Sequence, residues 1–155
     1  MKTLLSGALA GAAATVPMTI VMEKLHEILP GEPARPLPPR EVTESMAAKA
    51  GVADRLDEPE MQTLTLGAHV GYGAACGAVL GLVVPRNTAA AVGVGMLFGL
   101  GVWAGSYMGW LPALNVRHDA RDDPPARTGL MIAAHLVWGA AAGFELASGR
   151  REEDA

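Results

Sequence analysis

Charged and uncharged stretches alternate along this chain over a long period, and the uncharged stretches have the length of a bilayer crossing. Leu4 to Met22 runs for about 19 residues, Leu64 to Val84 for about 21, Thr88 to Leu114 for about 27 and Thr128 to Phe144 for about 17, where ~20 cover a hydrocarbon core of ~30 Å. With their flanking turns they predict four transmembrane helices at about 4–28, 64–84, 88–112 and 128–148, separated by polar loops at about 30–63 and 115–127. The first loop opens on Gly31-Glu32-Pro33-Ala34-Arg35-Pro36-Leu37-Pro38-Pro39-Arg40, too rich in proline for helix. After it, Val42, Met46, Ala47 and Ala50 recur at helical spacing and Gly51 supplies a stop, so a short amphipathic helix is expected at the membrane surface. Pro85-Arg86-Asn87 is too short to let the second and third helices be anything but antiparallel.

One phrase occurs twice. Ala68-His69-Val70-Gly71-Tyr72-Gly73-Ala74-Ala75-Cys76-Gly77 and Ala134-His135-Leu136-Val137-Trp138-Gly139-Ala140-Ala141-Ala142-Gly143 both read Ala-His-x-x-aromatic-Gly-Ala-Ala-x-Gly. Gly7 and Gly11 in the first helix are answered by Gly95 and Gly99 in the third. The chain therefore reads as two duplicated hairpins, related by an axis along the membrane normal because each half crosses an even number of times. The four-residue glycine spacing continues through Gly73, Gly77 and Gly81, through Gly101, Gly105 and Gly109, and through Gly139 and Gly143. Small-residue stripes of this kind let helix backbones approach closely. The fold class expected is an all-α integral membrane bundle in one domain, packed through Gly-xxx-Gly faces.

Composition narrows the function. Half of the residues are hydrophobic and 18% are charged, but the charges fall in blocks that leave the spans clear. A net charge of −4 with no basic cluster argues against nucleic acid. Cys76 is the only cysteine, which excludes an intrachain disulfide. Lys2, the short apolar stretch after it and the small residues Ala12 and Ala14 resemble a signal peptide, but the apolar run continues to Met22, and a retained span is expected. Pro17 should kink that span, as membranes tolerate.

The Gly7-Ala8-Leu9-Ala10-Gly11 opening, the Leu37-Pro38-Pro39-Arg40 loop, His69, and the ending Ala134-His135-Leu136-Val137-Trp138 leading to Glu145 resemble the YagU-like group of small bacterial inner-membrane proteins. The resemblance implies a multi-pass protein of a bacterial cytoplasmic membrane with both termini inside. It brings no catalytic residues. Lysine and arginine counts alone favour cytoplasmic loops instead, since eight lie on the loop side against Lys2, Arg86, Arg150 and Arg151 on the other.

Candidate chemistry gathers on the loop side. His69 and His135 lie inside the second and fourth spans, His26 follows the first, and Glu23 precedes His26 by three residues. Three readings of the His69/His135 pair are open: hydrogen bonds between helices, a proton or divalent-metal site, and haem held by the two imidazoles with Gly73 and Gly139 clearing room for the macrocycle. His118, Asp119, Asp122 and Asp123 could hold a cation but read more simply as a solvated acidic loop. Trp103, Tyr107 and Trp110 read as packing and interfacial anchors. No nucleophile elbow, phosphate loop or zinc-binding motif is present. The expectation is a non-enzymatic membrane component without a cofactor, in contact with the bilayer and with a second copy or another membrane protein through its glycine faces. The alternative is a small proton or metal conduit using His69 and His135.

Overall fold

The computed structural model describes residues 2–31 and 34–153, and every regular element among them is helical. In chain order the α-helices are α1 (Lys2–Ile28), α2 (Pro38–Lys49), α3 (Glu58–Val83), α4 (Thr88–Gly105), α5 (Leu111–Ala113) and α6 (Pro125–Glu153), with short 3-10 turns at Ala53–Arg55 and Ala120–Asp122. A π-helical turn, Ser106–Trp110, joins α4 to α5 without a break. Thr3–Ile28, Glu58–Val83, Thr88–Ala113 and Pro125–Arg150 are long and apolar enough to cross a membrane. The chain is accordingly read as a multi-pass membrane protein.

Three helices start earlier than the charge pattern predicts. At α3 the Asp57 carboxylate accepts from the Glu60 backbone N–H while the Glu60 carboxylate accepts from that of Asp57, both at 2.9 Å. This capping box satisfies donors that the first turn would otherwise leave open, so the helix begins at Glu58 rather than near 64. Similarly α2 begins at Pro38, inside the stretch whose prolines argued against helix, and α6 begins at Pro125. Proline is tolerated in a first turn because its missing N–H has no helical partner there. Within α1, Pro17 is carried in one continuous element, where the Thr15 and Thr19 hydroxyls donate to the Gly11 and Thr15 carbonyls at 2.9 and 2.8 Å.

The long helices pack in the spatial order α3, α1, α6, α4. A Cβ on Gly11 would collide with the Gly73 carbonyl oxygen, and one on Gly7 would sit 2.5 Å from that of Gly77. A Cβ on Gly81 would lie 2.9 Å from the Thr3 oxygen. On the other side Gly95 and Gly139 would each collide with the other's carbonyl, Gly99 with that of His135, and Gly143 with that of Ala91. At these seven positions no side chain fits without moving backbone. Gly101, Gly105 and Gly109 depart from the expected packing: a Cβ on Gly101 or Gly105 meets nothing within 4 Å, and on Gly109 only its own helix, at 4.0 Å. They sit on a side of α4 and its π turn that no other helix among the described residues covers.

Two side chains lock this arrangement. Trp138 Nε1 of α6 donates to the Gly11 carbonyl of α1 at 3.0 Å. At the far end, the Arg150 guanidinium donates to the Gly81 and Val84 carbonyls at 2.6 and 2.7 Å, covering acceptors that the end of α3 leaves open. Large apolar side chains such as Leu5, Leu9, Leu66, Leu82 and Leu97 point outward, as suits a surface whose solvent is hydrocarbon. One seam stays unpacked: α3 and α4 are adjacent in sequence yet touch at few points.

Candidate functional site

A cavity of about 500 Å³ lies along that seam. The inner faces of α3 and α4 form its sides, α1 and α6 its back, and α2 with Val52 lies over its loop-side end. Among the described residues, none that lines it is charged. α2 buries Pro38, Thr43 and Ala47, while Val42 and Met46 complete the apolar stripe turned toward the cavity.

Polar groups enter this apolar space at few points. His135 is 6% exposed, and its Nδ1 lies 2.8 Å from the Met131 carbonyl oxygen. A carbonyl only accepts, so Nδ1 carries the proton and the lone pair of the neutral ring sits on Nε2, which has no hydrogen-bond partner among the described residues. The Tyr107 ring stands edge-on to the imidazole, with centroids 6.1 Å apart. His69, half-buried, lines the α3 side and makes no hydrogen bond among the described residues. Across the seam, Tyr72 and Ser106 share a 2.8 Å hydrogen bond, and the Tyr72 and Trp110 rings lie 6.2 Å apart. The π turn, in which the Leu111 N–H reaches back five residues to Ser106, supplies Ser106, Tyr107 and Trp110 together.

Over the loop-side end lies a buried network of charges. Arg117 donates to both carboxylate oxygens of Asp123 at 2.8 Å and to Glu41 of α2 at 3.1 Å. Arg127, at the start of α6 and 1% exposed, pairs with Glu41 at 2.9 Å and donates to the Pro36 carbonyl at 2.8 Å. The Arg117 guanidinium lies 5.2 Å above the centre of the Tyr107 ring. Through Glu41, then, α2 is bound at once to the second loop and to α6. No sequence pattern announced this network.

The expected site residues separate. His69 and His135 meet at the cavity, whereas Glu23 is exposed and neither it nor His26 lines that space. Among the described residues no group of three or more His, Cys, Asp or Glu side chains could hold a metal ion. Gly139 clears no room beside His135, because it is pressed against Gly95. The second loop is not simply a solvated acidic loop either. Asp123 is buried under Arg117, and Asp119 is held by Arg121 at 2.7 Å. Tyr107 and Trp110 do more than anchor the interface, since both line the cavity.

No family model, curated protein or solved structure matches the chain.

The network makes a prediction about pH. Burial pushes the Asp123 carboxyl up, but hydrogen bonds from Arg117 and His118 and their positive charge outweigh it and hold it below its ordinary 3.8. Arg127 stands 4.0 Å from the same carboxylate. A group depressed on folding contributes stability that is complete above its unfolded value and is lost as pH falls through the folded one. Protection of the α2 amides, taken relative to their intrinsic exchange rates at each pH, should therefore be constant from neutrality down to about pH 4 and fall below it, and Asp123→Asn should show weak protection throughout. The exposed Asp119, lowered to about 2 by its side-chain and backbone hydrogen bonds from Arg121, should titrate in the same acid range without altering α2.

Proposed function

We propose that this chain is a non-enzymatic integral membrane protein that binds an apolar molecule drawn from the bilayer into the cavity between α3 and α4. The observation that carries the reading is an uncharged cavity of about 500 Å³ along the one seam where neighbouring spans are not packed together. Its size falls within the range of small-molecule sites, and an apolar lining with a few convergent polar groups is their usual character. In this reading the two helix pairs are duplicated hairpins, each zipped by its glycines, and the cavity is the space left where the hairpins diverge. The resemblance to the YagU-like group supports a bacterial cytoplasmic membrane with both termini inside.

The test is to fill the space. Organic extraction of protein purified in mild detergent, followed by mass spectrometry, should yield one apolar species near stoichiometry with the chain. Cys76→Phe and Ala68→Phe place a ring where the lining is small and should each lower its recovery at least fivefold while leaving thermal stability close to wild type. Equal recovery from all three proteins would sink the proposal.

A second reading, an accessory subunit that binds another copy or a partner, draws on the glycines left over. Gly67 and Gly71 on α3 and Gly101 and Gly105 on α4 are exposed, and a Cβ at any of them would meet nothing within 4 Å. Only a monomer by native mass measurement, with no co-purifying protein, would count against it.

A further inference from the structure

We infer that the molecule held in this cavity is a neutral lipid carrying a hydroxyl group, with the hydroxyl donated to Nε2 of His135. The inference rests on the cavity reading above and adds the chemistry of the polar end. Because the Met131 carbonyl fixes the proton on Nδ1, Nε2 offers only a lone pair, and a lone pair calls for a donor. His135 is more than nine-tenths buried as a residue and lines the cavity, so the partner within reach of Nε2 is whatever the cavity holds.

The identity of the donor follows from what surrounds it. Among the described residues no lysine or arginine lines the cavity, so none of them would compensate a phosphate or carboxylate. The two buried arginines nearest in the fold, Arg117 and Arg127, are directed to Asp123 and Glu41. Nor, among the described residues, does an aspartate or glutamate line the cavity, and an ammonium head would be equally uncompensated. An uncharged donor on an apolar body is what remains, and a hydroxyl is the simplest. His69 on the α3 side and Ser106 at the seam lie within the same lining and can serve the hydroxyl oxygen as a second partner.

Trp138 reports on this space directly, because it lines the cavity and is only 3% exposed. The variant Trp103→Phe/Trp110→Phe leaves it as the sole tryptophan. In phosphatidylcholine nanodiscs, 9,10-dibromo-octadecanol should quench Trp138 at a mole fraction roughly five- to tenfold lower than its methyl ether, the factor expected from one hydrogen bond. Adding His135→Leu should remove the difference and leave the ether curve in place. His135→Gln, which keeps an acceptor, should restore part of it and guards against misreading a folding defect. Relief of quenching by unbrominated octadecanol or by an isoprenoid hydroquinone tells an aliphatic from a phenolic hydroxyl, and either bears the inference out.

The two levels of the argument fail separately. Equal quenching by alcohol and ether would overturn the hydroxyl and leave the cavity reading standing. Quenching by neither would overturn both. Strong quenching by dibrominated phosphatidylcholine alone would mean that an ordinary acyl chain fills the space, which overturns the hydroxyl.

Discussion

Arg127→Met is expected to cost about 3–5 kcal/mol and to free α2 from the end of the bundle, because removing one partner of a buried ion pair strands the others. Arg127 is almost wholly buried, and its loss leaves the Glu41 carboxylate with Arg117 alone and the Pro36 carbonyl without this donor. The expected signature is local first. Amide exchange across Pro38–Lys49 should accelerate by orders of magnitude, while the centres of the long helices change little. Pairing the change with Glu41→Gln should recover part of the loss, since the stranded carboxylate is then neutral. If α2 exchanges as slowly in Arg127→Met as in wild type, the apolar face of α2 alone holds it down and the network is dispensable.

Gly139→Leu should have the largest effect on the bundle itself. Each of Gly139 and Gly95 lies where the other's carbonyl leaves no room for a Cβ, and the obstacle is backbone, which cannot rotate aside as a side chain can. The pair α4 and α6 must separate, forfeiting the close contact that holds membrane helices together in place of a hydrophobic driving force. A loss of at least about 4 kcal/mol is expected, or failure to accumulate as folded protein. Gly101→Leu is the control. It sits six residues further along the same helix as Gly95 but faces open space, and the substitution should stay within about 0.5 kcal/mol of wild type. Equal destabilisation by the two would mean that the exposed glycines are packed as well, by a second chain, and would favour the accessory-subunit reading.

That contrast shows what could be read in the sequence and what could not. The spans were legible because absence of charge over ~20 residues is a one-dimensional signal that the bilayer imposes. Their starts were not, because the residues that cap a membrane helix, such as Asp57 and Glu60, carry the charge that marks a loop. Glycine spacing was legible, but not the direction in which each glycine faces: Gly95 and Gly101 look alike in sequence and differ entirely in surroundings. His69 and His135 stood out as polar groups within apolar runs and do meet at one cavity. The network above them was invisible because its members are far apart in sequence, with 76 residues separating Glu41 from Arg117. Asp123 looked solvated for the same reason, since only the folded loop sets it beneath a guanidinium.

The unpacked seam between α3 and α4 also determines the currency in which occupancy is reckoned. The loop end is closed by α2 and its charge network, and Arg150 fastens α6 to α3 at the other end. On the proposed reading, a guest of this cavity enters sideways from the acyl chains rather than past α2. Its binding is governed by its mole fraction among the surrounding lipids, and diluting the vesicles a hundredfold at fixed lipid composition should leave the occupied fraction unchanged.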